Sequence, residues 1–141
     1  MTTLKSKDKD IDYIINTKIK ENAVLSTNVA GTTFIENIND ILSDFRGLLR
    51  DNHKLQVWLR RDRKNPHDEN AVEVFIACKE KNIKPIKIGY IPKKNNEVIA
   101  YVLDNKDRYE IGTYGIEIIG HDEFRENFGV FFKYKFRKTV R

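Results

Sequence analysis

The side chains best equipped to act on a substrate fall in two adjacent pairs, His67-Asp68 and His121-Asp122. Two imidazoles and two carboxylates are enough to hold a divalent cation or to supply an acid and a base for phosphodiester cleavage. Neither pair has the HxxxH spacing that sets two ligands on one helical face. Both lie in polar stretches, where aspartate is favoured because its carboxylate bonds nearby backbone amides. A small metal-dependent nuclease is therefore a minor reading, and turn-capping the simpler one. Cys78 ends an apolar strand, where a lone thiol behaves as a small buried hydrophobe, and no GxSxG elbow is present. The 7 glycines form neither GxGxxG nor GxxxxGK[ST], so no nucleotide cofactor and no metal is expected.

Cations and flat rings are better represented. The chain has 8 phenylalanines, 6 tyrosines and one tryptophan, with a net charge of +5. Charge is uneven: residues 1–40 carry 5 basic and 6 acidic groups, whereas Lys133, Lys135, Arg137, Lys138 and Arg141 follow Phe131 with no acid among them. Proteins hold single-stranded nucleic acid with cations at phosphates and with rings on which bases stack, each stacked base worth about 1–3 kcal/mol. Phe132, Tyr134 and Phe136 alternate along one strand face and read as core, which leaves Lys133, Lys135 and Arg137 on the opposite, solvated face.

The elements that must position these groups are short. A chain of 141 residues without repeats, low-complexity tracts or Pro/Gly/Ser linkers is read as one domain behind an N-terminal extension, residues 1–25. At this length roughly two thirds of the unfolded surface can be buried, so a core forms without disulfides. No apolar leader and no run near the roughly 18 residues of a membrane span is evident, and the single thiol suits a reducing compartment. A cytoplasmic protein is expected.

In the extension, Ile11, Ile14, Ile15 and Ile19 recur at helical spacing behind Asp10, a candidate cap. Val29–Phe34 reads as a strand interrupted by Gly31. Ile35, Ile38, Ile41, Leu42, Phe45 and Leu49 trace a helical face that should stop near Arg50-Asp51-Asn52. The period then changes to two. Leu55, Val57 and Leu59 alternate with Gln56, Trp58 and Arg60, and a polar turn over residues 61–70 leads into Val72, Val74 and Ile76, an expected antiparallel pair. Ile86, Ile88 and Tyr90 alternate before Pro92. Asn95 or Asn96 is then expected to cap a helix with Val98, Ile99, Val102 and Leu103 on its apolar face, ending at Asp104-Asn105. Tyr114, Ile116 and Ile118, then Phe132 to Phe136, complete about six strands with two helical insertions, a mainly β chain expected to make a small closed or nearly closed barrel.

Four segments together resemble a known family: Val29-Ala30-Gly31-Thr32-Thr33-Phe34, the run from Arg61 to Val72 containing NPHDENAV, Ile88-Gly89-Tyr90-Ile91-Pro92-Lys93, and Val102-Leu103-Asp104. Their order and spacing are similar to those of a HIRAN domain, over Ser26 to Phe136, with the domain assigned to residues 26–141. The resemblance implies a modified OB/SH3-like barrel, standing alone here and found elsewhere beside helicase-like translocases or nucleases. It also implies a module that catalyses nothing and captures the 3′ end of single-stranded DNA for repair or replication.

The same resemblance implies roles for individual residues. Phe34 matches a base-stacking ring, and Thr33 stands where end-binding members carry a phosphate-contacting arginine. His67 matches an aromatic packed on the terminal nucleotide, and Asp68 the carboxylate that accepts from the terminal hydroxyl. Asn70 would position the loop, Tyr90 and Lys93 would hold the following phosphates, and Phe128 matches a later stacking ring. A carboxylate accepts from a hydroxyl and repels a phosphate, so such a site would select unphosphorylated ends. The implied partners are single-stranded DNA or DNA ends, with a helicase or nuclease acting alongside and no membrane. The rival readings are a protein-interaction adaptor on the same barrel and the nuclease built from His67, Asp68, His121 and Asp122.

Overall fold

Period-two alternation and helical periodicity become six strands and three helices in a computed structural model that describes residues 6–140. In chain order these are α1 (Ser6–Lys20), β1 (Leu25–Asn28), α2 (Ile38–Arg50), β2 (Gln56–Arg61), β3 (Val72–Cys78), β4 (Ile83–Tyr90), α3 (Lys93–Asp104), β5 (Tyr109–Gly120) and β6 (Phe128–Lys138). Short 3-10 turns occupy Thr32–Phe34 and Lys79–Lys81. The strands make two three-stranded antiparallel sheets, β1-β6-β5 and β2-β3-β4.

The expected β2–β3 pair is present, with Val57 opposite Ile76 and Leu59 opposite Val74. The closed barrel is not. Among the described residues the two sheets are laddered together only at Ala30 and Tyr90, where each backbone N–H donates to the other's carbonyl at 2.7 and 2.8 Å. At the other pair of sheet edges, β2 and β5 meet through the Thr113 hydroxyl, which donates to the Val57 carbonyl at 3.3 Å. A ladder at this seam would need aligned backbone donors and acceptors, and a single side-chain bond takes their place.

Gly89 explains part of the IGYIP run. A side-chain carbon there would lie 2.4 Å from the Ala30 carbonyl oxygen and 2.8 Å from Val29 Cγ1, so only glycine lets β4 approach the chain leaving β1. Between the layers, Ile15, Leu42, Phe45, Ile76, Ile88 and Phe132 are almost wholly buried, each worth about 1.5–3 kcal/mol of transfer free energy.

Several local expectations shift. The strand expected at Val29–Phe34 lies before that span, at Leu25–Asn28, and of the expected residues only Ala30 makes a strand bridge, because Gly31 adopts φ +70° and the chain turns, with Phe34 N–H bonding the Gly31 carbonyl at 3.2 Å. Asp10 lies inside α1 rather than capping it. Likewise Pro92 takes the N-cap position of α3, and Asn95 and Asn96 fall within the helix. In β5, Tyr114 pairs with Lys133 but Glu117 with Phe131, so one extra residue is accommodated beside Gly115 at φ +64°. This bulge reverses the alternation. Ile118 is buried while Tyr114 faces outward, 43% exposed. α2 ends as anticipated, with Asn52 at φ 64° and His53 N–H returning to the Leu48 carbonyl at 2.9 Å.

The N-terminal helix docks on the rest of the fold. Ile11 and Ile15, one helical turn apart, join the core. Beside them Asp12 Oδ1 accepts from Arg108 Nη2 at 2.7 Å and from the Tyr101 and Tyr109 hydroxyls at 3.0 Å each. Burial acts to raise this carboxyl, but those hydrogen bonds outweigh it and hold Asp12 below its ordinary 3.8.

Candidate nucleic-acid interface

The segment between β2 and β3 is shaped by its own side chains. Asn65 Oδ1 accepts from the backbone N–H of His67 at 2.9 Å and of Asp68 at 3.1 Å, an Asx turn for which Pro66 supplies a fixed φ. Arg61, with its side chain only 12% exposed, ties the loop from beneath. Its Nη1 and Nη2 donate to the carbonyls of Ala71 at 2.7 Å and Glu69 at 2.9 Å, and its Nε bonds Asp104 Oδ1 at 3.1 Å.

Asp68 is held at both oxygens. Oδ1 accepts from Asn70 N–H at 2.9 Å, and Oδ2 accepts from Asn96 Nδ2 at 2.7 Å. A carboxylate has about four acceptor positions, so roughly two stay free on this half-buried group. Asn96 is 3% exposed and lies one turn into α3, so the loop is fastened to that helix. The neighbouring Asn95 Nδ2 donates to buried Thr27 Oγ1 at 2.9 Å and fastens β1 to the same turn. α3 begins without a side-chain cap, leaving its first N–H groups beside exposed Lys93, a positive helix end.

Tyr90 joins this loop to the 3-10 turn at Thr32–Phe34. Its hydroxyl donates to Asp62 Oδ2 at 3.2 Å and accepts from Lys87 Nζ at 2.8 Å, while the same ammonium lies 4.4 Å from the ring centroid. Its ring and that of Phe34 flank Gly31, where a side-chain carbon would lie 3.8 Å from Tyr90 Cδ2 and 3.9 Å from Phe34 Cδ2. Phe34 is 90% exposed, an extreme value for a large apolar ring. Behind Tyr90, buried Glu73 pairs with Arg60 Nε and Lys87 Nζ, both at 3.0 Å. Burial would raise the Glu73 carboxyl, yet the bonds from Arg60 and Lys87 prevail and it lies below its ordinary 4.5. For Lys87 burial acts downward, and the bonds to Tyr90 and Glu73 carry it above 10.5.

Of the residues singled out in the sequence, Phe34, Asp68, Asn70 and Tyr90 thus belong to one connected wall, with exposed His67 and Lys93 at its rim. Thr33 is exposed and lines a groove of ≈ 300 Å³ with Thr32, Arg125 and Asn127, to whose lining neither Phe34 nor Tyr90 belongs. Phe128, expected as a later stacking ring, is packed against its neighbours. It is 5% exposed, stacked on His121 at 4.9 Å and covered by the Arg46 guanidinium at 4.7 Å. Phe124, 89% exposed in the same β5–β6 turn, is the accessible ring. His67-Asp68 and His121-Asp122 lie in different loops, and among the described residues no group of three or more His, Cys, Asp or Glu side chains is disposed to hold a metal ion.

The sequence patterns did not single out Arg61, Lys87 or Arg125, and offered Asn96 only as a helix cap rather than as a partner of Asp68. A cation at an inward strand position, as Arg61 is, carried a usable signal; an asparagine inside a helix did not.

A family model described as HIRAN domain matches residues 22–131. Among curated proteins, the helicase-like transcription factor of Oryctolagus cuniculus is 34% identical over 55 residues, which are 39% of this chain and 5% of that protein. The chain thus aligns with a small fraction of that relative's length. No solved structure matches.

Proposed function

The chain belongs to the HIRAN domain family, a family of DNA-binding rather than catalytic domains, and from that premise we propose that it captures the 3′ ends of single-stranded DNA through the terminal hydroxyl. The carrying observation is the continuity of one wall, from the exposed Phe34 ring through Tyr90 and Asp62 to the Asp68 loop. Phe34 offers a face for a base. Asp68 keeps acceptor capacity for a hydroxyl, and as an ion it disfavours a phosphate in the same position. Lys93 and the uncapped start of α3 supply positive potential for the backbone that follows, and His67 and Asn70 border the terminal nucleotide. In this reading residues 26–141 form the binding domain, and the two sheets are an OB-like barrel opened along its β2–β5 seam. The buried lone thiol of Cys78 fits a cytoplasmic setting in which a helicase or nuclease acts on the same DNA end.

Fluorescence anisotropy with a short labelled strand ending in a 3′ hydroxyl or a 3′ phosphate tests this reading, alongside Asp68→Asn. The unaltered protein should prefer the hydroxyl and the variant should lose that preference. Equal affinity of the unaltered protein for both ends would refute end capture, and absence of binding to either would refute the DNA-binding reading as a whole.

A further inference from the structure

The groove beside the Thr32–Phe34 turn is lined by a cation, Arg125, that pairs with no carboxylate among the described residues. Arg60, Arg61, Arg63, Arg108 and Arg137 each pair with a carboxylate. Arg125 forms no ion pair among the described residues, although Asp122 lies three positions before it. The Asp122 carboxylate is turned to the backbone instead, accepting from the N–H groups of Phe124 and Arg125 at 2.9 Å each, which hold it below its ordinary 3.8. The Asp122 N–H returns to the Arg125 carbonyl at 2.9 Å, closing the turn.

The exposed Arg125 side chain makes one hydrogen bond of its own. Nε donates to the Asn127 carbonyl at 3.1 Å. The group lies over Gly129, where a side-chain carbon would approach Cζ and Nη2 to 2.9 Å, and its stem passes Gly120, where one would meet Cδ at 3.0 Å. Two glycines thus leave the space the side chain fills. Nη1 and Nη2 make no hydrogen bond among the described residues, and Arg125 lines a groove whose other polar walls are Asn28, Thr32, Thr33 and Asn127. A guanidinium with two unused donor nitrogens, in a groove that also carries hydroxyl and amide groups, is suited to a phosphate oxygen pair.

We infer that Arg125 grips an internucleotide phosphate of the strand whose base lies on Phe34, so that the β5–β6 turn and the Thr32–Phe34 turn close on the DNA backbone from opposite sides of one groove. This rests on the DNA-binding reading above. It adds a contact supplied by a segment some ninety residues further along the chain.

The test is anisotropy with a 3′-hydroxyl single strand over a range of salt, using Arg125→Met, which keeps the stem without the charge, and Arg125→Lys. Arg125→Met should bind about tenfold more weakly, and its log-affinity against log-salt slope should flatten by about 0.7, the value for one phosphate contact on a single strand. Arg125→Lys should retain the slope. Strands carrying a neutral methylphosphonate at each of the last three linkages in turn should reveal one linkage whose neutralisation weakens the unaltered protein but not Arg125→Met. If Arg125→Met keeps the affinity and slope of the unaltered protein while the hydroxyl preference persists, the inference fails and the end-capture reading stands. A loss of affinity with an unchanged slope, and with the same methylphosphonate penalty as the unaltered protein, would assign Arg125 a role in loop shape only and also overturn it. Loss of all single-strand binding by the unaltered protein removes both.

Discussion

The amide of Asn96, buried in the first turns of α3, donates to Asp68 Oδ2 across 2.7 Å, and this bond joins a helix interior to the rim of a surface loop. Asn70 N–H holds the other oxygen of the same carboxylate, so the direction in which Asp68 faces is decided by two elements at once.

Asn96→Ala should therefore act on both stability and recognition. Loss of a buried hydrogen bond to a charged group costs about 1.5–3 kcal/mol, read as a lower urea midpoint with an unchanged m value. The hydroxyl-over-phosphate preference should fall with it, because the carboxylate is then oriented from one side only. Unchanged end preference in a folded Asn96→Ala protein would remove Asn96 from the site.

Phe34→Ala should separate the same two quantities in the opposite way. A ring 90% exposed contributes little to folding, and the stability change should stay within about 0.5 kcal/mol. Affinity for a single strand should drop by about 1–3 kcal/mol if a base stacks there. A large fall in melting temperature with intact binding would identify Phe34 as structural.

Gly89→Ala is expected to be among the most damaging single-methyl changes in the chain. The added carbon would lie 2.4 Å from the Ala30 carbonyl oxygen, and the relief of that clash breaks the Ala30–Tyr90 bridge. A loss of about 3 kcal/mol or more in denaturant unfolding is expected, with early exchange of the Tyr90 amide. Near-native stability would show that β4 and the chain after β1 separate without cost.

Acid should loosen the N-terminal helix. The Asp12 carboxyl is lowered below 3.8 in the folded protein, chiefly by Arg108 against the opposing effect of burial, and Glu73 is likewise lowered below 4.5 by Arg60 and Lys87. A carboxyl with a depressed folded pKa binds its proton more readily when unfolded. Its stabilising contribution is therefore complete above the ordinary values and lost as pH falls through the folded ones. Stability should be flat above about pH 5 and decline below 4.5, and Asp12→Asn should be less stable at neutral pH with a shallower acid decline. An acid limb identical to that of the unaltered protein would exclude Asp12 as a contributor.

Much of this architecture was readable one segment at a time. The β2–β3 pair, α2 with its end at Asn52, the helix around Ile11 and Ile15 and the turn built on Asn65 and Pro66 depend on periodicity or on bonds between residues a few positions apart. Asp68 and Phe34 stood out through the resemblance to the HIRAN family, whose motifs are runs of neighbouring residues. Helix starts were less legible: proline in the cap position freed Asn96 for a bond 28 residues back, a use that spacing does not reveal.

By itself, then, the chain determined most of the strands and helices, most of their apolar faces and that a carboxylate stands in a tight turn, since these follow from short-range sterics and hydrophobic period, while β1 lies before the span expected for it. Only the tertiary structure decided that the sheets meet at Ala30–Tyr90 without closing at β2–β5, that Gly115 reverses the face of Tyr114, that Phe128 is covered and Phe124 free, and that Arg125 borders the groove beside Thr33. Each of these depends on which distant backbone or side chain occupies the space, and a sequence pattern carries no record of that until the chain has closed upon itself.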